Sequence, residues 1–210
     1  IDYGASNLRS VQMAFEYIGQ KAKIVSDEKS IMEASRVVLP GNGAFGDCIS
    51  ALKSRGLISV IHNFIETGKP FLGICIGMQI LFDKSLEFGV NEGFGYIKGT
   101  VRRFSDNILK NGCKIPHTGW NYVKKTNNHR LFSGIEDNTP FYFVHSYFAD
   151  NYGDKSVIGA CEYDSFFTAA VEKDDILRVE LQAEKSYKSG LKLLSNFCLA
   201  TFSTIFCISS

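Results

Sequence analysis

Cys75 stands in Gly73-Ile74-Cys75-Ile76-Gly77, a G-x-C-x-G spacing in which a thiol can serve as a nucleophile. A strand that turns sharply into a helix there exposes the thiol and strains its backbone. Glycines two residues to either side remove the side chains that would collide. The helix start behind the turn favours negative charge, so the spacing predicts a lowered thiol pKa. The backbone N–H of Ile76 is then one donor to a tetrahedral oxyanion. A second loop, Pro40-Gly41-Asn42-Gly43-Ala44-Phe45, has glycines that let another N–H face an incoming carbonyl oxygen. A Pro-Gly turn after a strand is ordinary by itself, and a buried cysteine in a glycine turn is the plain alternative for Cys75.

Both loops need a strand before them and a helix after them. Leu8, Val11, Phe15 and Ile18 recur at helical spacing, with Ser6 or Asn7 as caps and Gly19 as the stop. Ala22 to Val25 reads as a short strand, and Arg36 to Leu39 as another, ended by Pro40 and the following glycines. Helices are expected from about Asp47 to Leu52 and from about Leu57 to Thr67. Pro70 to Ile74 is a buried strand, and Met78 to Phe82 a further helix. Such alternation implies βαβ units. The second half is richer in β-like runs: Tyr96 to Val101, Phe141 to Val144, Phe166 to Val171 and Ile176 to Leu181. An amphipathic helix, Lys188 to Phe197, closes it. The fold class is α/β: one domain over residues 1–197, a mostly parallel central sheet flanked by helices, and an added antiparallel β section. Residues 198–210 form an atypical apolar tail. Ile1 reads as the end of a strand, most of which would precede the chain as given.

With 210 residues, 45% hydrophobic and 21% charged, the chain can bury a sizeable core. A net charge of +1, with both signs interspersed, gives no electrostatic reason for a nucleic-acid or membrane partner. No apolar run reaches the roughly 18–20 residues of a membrane span. The six cysteines lack CxxC or His–Cys ligand spacing, so reduced thiols in a cytoplasmic protein without metal are expected.

Several longer motifs resemble one family. Asp2-Tyr3-Gly4 with Asn7-Leu8, Pro40-Gly41-x-Gly43-Ala44-Phe45-Gly46-Asp47 and Gly73 to Gln79 look like class I, triad-type glutamine amidotransferases. Pro116-His117-x-Gly119-Trp120-Asn121, Tyr142 to Tyr147 and Glu184-Lys185-Ser186 narrow the resemblance to the glutaminase subunits of imidazole glycerol phosphate synthase. The resemblance implies a flavodoxin-like fold and attack of Cys75 on the glutamine side-chain amide. Ammonia would pass to a (β/α)₈ barrel cyclase in a heterodimer, for histidine biosynthesis. It also implies glutamine contacts from Gly41, Gly43, Gly73, Ile76, Gln79, His145, Ser146 and Tyr147, and a partner surface with Asn7, Trp120, Tyr142 and Lys185. No cofactor is implied.

One departure bears on the chemistry. The family's triad closes with His-Pro-Glu before Lys-Ser, whereas this chain reads Gln182-Ala183-Glu184-Lys185-Ser186. Glu184 keeps the carboxylate slot, but Gln182 fills the histidine slot and has no group that titrates near neutral pH. Arg178 to Leu181 also departs from the family's strand. Of the four histidines, His62 and His129 read as solvated, His117 as structural or interfacial, and His145 as a substrate-contact position. Glu180, Gln182 and Glu184 share a face if the strand extends that far, which makes Glu180 a second-choice base. Three readings stay open: an impaired glutaminase, including one that feeds another ammonia acceptor; a non-catalytic cyclase-binding subunit; and an unrelated thiol hydrolase.

Overall fold

A computed structural model describes residues 1–4, 7–174 and 176–199. The first half contains helix α1 (Leu8–Tyr17), helix α2 (Glu28–Glu33), strand β1 (Val37–Gly41), helices α3 (Phe45–Ser54) and α4 (Leu57–Glu66), strand β2 (Phe71–Cys75) and the single turn α5 (Ile76–Gln79). Strands β3 (Phe82–Ser85), β4 (Asn91–Glu92), β5 (Ile97–Arg103), β6 (His117–Lys125), β7 (Thr139–His145) and β8 (Tyr147–Asp150) follow. Strands β9 (Val157–Tyr163), β10 (Ser165–Lys173) and β11 (Ile176–Val179) lead into helix α6 (Tyr187–Leu199).

The main sheet has seven strands in the order β1-β2-β11-β10-β9-β6-β7. β1, β2 and β11 run parallel, and the remaining pairings are antiparallel. A second sheet, β4-β3-β5-β8, lies beside it. β2 is buried along its whole length, as a strand covered on both faces must be, which accounts for its unbroken apolar run. Helices α1 and α6 pack together through an edge-to-face pair of Phe15 and Phe197. Asn7 precedes α1 without a side-chain cap bond, and Gly19 takes φ +77° just past its end. Ser6, the other cap candidate, lies outside the described residues, as does the tail beyond Leu199.

Four local expectations need correction. Ala22 to Val25 joins no strand ladder, although Val25 O accepts from Asp2 N at 2.7 Å. β1 continues through Pro40 to Gly41, and Gly41 pairs with Cys75. Met78 to Phe82 is not a helix: α5 ends at Gln79, and Phe82 opens β3. All five of those side chains are buried, so apolar periodicity could not separate the two states. β11 ends at Val179, yet Glu180 N still donates to Ala169 O at 2.9 Å.

Candidate active site

The junction of β2 with α5 holds Cys75 at φ +55° and ψ −117°, a strained conformation for a residue with a Cβ. The flanking glycines make that turn possible. A Cβ on Gly73 would sit 2.3 Å from Gly77 O, and one on Gly77 would sit 1.7 Å from Leu39 O. Gly73 therefore acts by steric absence, and it does not line the cavity that the thiol faces.

That cavity, of about 420 Å³, opens where the ends of β1, β2 and β7 meet the Gln182–Lys185 segment. Cys75, Ile76 and Gln79 form its floor. Gly41 and Gly43 form one wall, and Gly43 takes φ +94°, a backbone state that suits glycine. His145, Ser146 and Tyr147 form the facing wall, and Gln182, Glu184 and Lys185 close the side. Asn7 also reaches this space, so Asn7 and Lys185 border the cavity as well as the expected partner face. Trp120 and Tyr142 lie outside it: Trp120 is 46% exposed, meets Tyr142 edge-on and stacks on Tyr187 at 5.3 Å.

Sequence reasoning missed Glu87. It lines the cavity and caps α3 by accepting from Phe45 N at 2.7 Å, with its carboxyl pKa raised by burial. Its signal was faint: a glutamate shortly after β3, far along the chain from either loop.

The electrostatics reverse one expectation. Burial, with the Glu180 carboxyl second, pushes the Cys75 thiol well above its ordinary range, although the Ile76 N–H and the Gln182 side chain favour the thiolate. One turn of helix is too short a dipole to outweigh desolvation. Glu180 is fully buried, and its pKa is pushed up to about 8 by desolvation. Its Oε1 accepts from Gln79 Nε2 at 2.9 Å and lies 3.7 Å from His145 Nδ1. Glu184 is also held above the usual carboxylate range by burial.

Behind the cavity, His145 Nδ1 donates to Tyr147 O at 2.8 Å. That leaves His145 Nε2 to accept from His117 Nδ1 at 2.9 Å, and His117 Nε2 to accept from Asn121 Nδ2 at 3.2 Å. Burial lowers His117 to about 4 and His145 to about 3, so both rings are neutral. The other two histidines are packed rather than solvated. His62 Nδ1 meets Tyr96 Oη at 2.5 Å and its ring lies against Phe94, while His129 caps the turn at Arg130 through Leu131 N.

The segment carrying Gln182 is fastened by its backbone. Gln182 N donates to Tyr142 O at 2.9 Å, and Ser186 Oγ donates to Gln182 O at 2.7 Å while accepting from Tyr142 N at 2.9 Å. Gln182 thus faces the cavity beside Cys75 in a fixed place. Among the described residues, no cluster of His, Cys, Asp and Glu could hold a metal, and no helix is long and apolar enough to cross a membrane.

A strained cysteine at a strand–turn junction, with glycines packed beneath it and a carboxyl on the neighbouring segment, is the arrangement that thiol acyl-transfer chemistry uses on an α/β sheet. Residues 1–182 match the family described as glutamine amidotransferase class-I, and the chain belongs to that family. Its curated relatives include the protein of Geobacter metallireducens named imidazole glycerol phosphate synthase subunit HisH, 44% identical, covering 95% of this chain and 96% of the relative. The protein of that name from Sulfurimonas denitrificans is 45% identical, covering 94% and 95%. Among solved structures, one titled glutamine amidotransferase superposes with a TM-score of 0.71 at 14% identity, covering 93% of this chain and 94% of the other. The Trypanosoma brucei CTPS glutaminase domain with bound acivicin superposes at 0.62 and 13% identity, covering 93% and 90%. At these identities the two structures speak for the fold alone.

Proposed function

We propose that the chain is the glutaminase subunit of an imidazole glycerol phosphate synthase, in which the glutaminase step is slowed by Gln182. The observation that supports this reading is a strained cysteine turn with the Gln182 amide beside it in one cavity. Glutamine would enter the cavity with its carboxamide over Cys75. Its α-ammonium would be met by the Glu87 carboxyl, and its chain by Gln79 and the His145-Ser146-Tyr147 wall. The Cys75 sulfur would attack the amide carbon, and Ile76 N–H with a backbone N–H of the Gly41–Gly43 loop would hold the oxyanion.

Collapse of that intermediate forms a glutamyl thioester and breaks the C–N bond, and the departing nitrogen needs a proton to leave as ammonia. Water then cleaves the thioester to glutamate and restores the thiol. Gln182 can hydrogen-bond in this space but can neither take the thiol proton nor return it. Losing that help costs about 10²–10⁴ in rate. The ammonia would pass to a (β/α)₈ barrel cyclase subunit seated over Asn7, Trp120, Tyr142 and Lys185.

The test is glutamate release by the chain mixed with a cyclase subunit and the cyclase's ligand, comparing wild type with Gln182→His. Slow wild-type turnover and a marked gain in the variant are expected. Brisk wild-type turnover would sink the account of Gln182, and silence in both would sink the assignment. The second reading, a docking subunit with no glutaminase activity, draws on the same Gln182. It predicts a tight complex with no glutamine-dependent turnover.

A further inference from the structure

The cavity-facing position beside Cys75 cannot carry a proton, but a second group stands next to the thiol's strand: Val179 pairs with Ile74, and Glu180 and Cys75 are the residues that follow them. We propose that Glu180 is the proton acceptor for Cys75, so that the thiol still attacks γ-glutamyl-like electrophiles whose leaving group departs without a proton. The inference rests on the amidotransferase reading above.

The geometry is one of converging donors. Gln79 Nε2–H reaches Glu180 Oε1 at 2.9 Å, and the His145 Nδ1–H, shared with Tyr147 O, lies 3.7 Å from the same oxygen. Asn121 and His117 donate along a line that fixes the His145 ring, whose Nδ1–H bonds Tyr147 O and lies beside the carboxyl. Glu180 Oε2 has no hydrogen-bond partner, which leaves it open to a proton from the neighbouring strand, where Ile74 lies opposite Val179 and Cys75 follows it. Resting geometries of catalytic pairs are often this loose. The other titratable groups nearby are Glu184, which bears on Cys75 by charge, Tyr3, whose phenol is pushed up by burial and feels the Cys75 charge, and the two neutral imidazoles. Neither imidazole titrates near neutrality, so Glu180 sets the pH at which the pair loses its first proton.

Glu180 does not line the cavity, whereas Cys75 and Gln182 do. It can take the thiol proton but has no route to the nitrogen that leaves glutamine. The two half-functions of a catalytic histidine are thereby separated. With acivicin, the chloro-dihydroisoxazole bound in the trypanosomal glutaminase domain, the step balances: an S–C bond forms, the C–Cl bond breaks, chloride leaves with its electron pair, and the thiol proton passes to the Glu180 carboxylate.

The test is the rate of irreversible Cys75 modification by acivicin in the full chain, followed by mass spectrometry from pH 6 to 9.5, with and without glutamine. Wild type should label faster as pH rises and level off above about pH 8. Glu180→Gln, of the same shape, should label about 100-fold more slowly at pH 8. Glu180→Asp should keep the pH step at a reduced rate, and thermal unfolding of each variant reads out folding independently. Labelling of Glu180→Gln at the wild-type rate or faster overturns the inference, because Glu180 would then only hold the thiol protonated. No labelling of wild type at any pH, with glutamine still bound, also overturns it. If glutamine neither binds nor slows labelling, the amidotransferase reading itself fails.

Discussion

The two sides of the cavity have fared differently. On one side, Gly73 to Gln79 combines a strained cysteine, glycines with no room for a Cβ, and a glutamine bonded to the buried Glu180. On the other, Arg178 to Gln182 carries a guanidinium, a carboxyl and an amide in fully or nearly fully buried places. Arg178 Nε and Nη2 have no partner, and its pKa is lowered to about 9 by desolvation. The intact side depends on backbone shape, where nearly any substitution collides. The altered side depends on side-chain chemistry, where a substitution of similar volume still fits and only the reaction suffers.

The sharpest way to test that contrast is Gln182→His, which should raise glutamate release in the cyclase complex by about 10²–10⁴. A gain below tenfold would mean the altered side is damaged beyond one residue. On the intact side, Gly77→Ala should cost on the order of 3 kcal/mol or more, because its Cβ would meet Leu39 O at 1.7 Å. Denaturant unfolding reads this, and a loss under 1 kcal/mol would show that the turn can yield. Arg178→Met should act in the opposite direction and stabilise by about 1–4 kcal/mol, since it removes a buried guanidinium with two nitrogens that lack a hydrogen-bond partner. An unchanged or lower midpoint would mean that the guanidinium has a compensating partner.

The smallest effect is a slope. Glu180 holds its proton in the folded state up to about pH 8, whereas the unfolded chain sheds it near 4.5, so this group makes stability fall as pH rises between them. His117 and His145 work the other way, because their folded values of about 4 and about 3 lie below 6.5 and stability is lost as pH falls through that range. Among these three groups, only Glu180 acts between pH 6.5 and 8. At about 1.4 kcal/mol per unit, Glu180→Gln should remove at most about 2 kcal/mol of decline there. An unaltered slope would place the titration elsewhere.

How much was legible follows from how local each feature is. The cysteine turn and the Gly41–Gly43 loop are short, contiguous and sterically determined, so their residues announced them. Parity puts Glu180, Gln182 and Glu184 on one face only if the strand runs that far. β11 stops at Val179, and Gln182 and Glu184 line the cavity while Glu180 does not. Glu87 was missed because its place depends on β3 and the turn after it, where an apolar run had been read as helix. The lowered thiol pKa was misjudged because a motif gives the orientation of a helix but not the depth of burial around the sulfur. The β9 strand, buried over Val157–Cys161 and containing Gly159, lacks the alternation that marks a half-exposed strand.

The ring of bonds joining Gln182, Tyr142 and Ser186 bears on how freely position 182 can change. It grips residue 182 by its peptide groups and the next turn by a serine hydroxyl, so it is indifferent to the side chain at 182. On the proposed reading, an imidazole and an amide at 182 would sit on the same mount in the same register. In evolutionary terms such an exchange would be shallow, because the mount is equally ready to receive an imidazole.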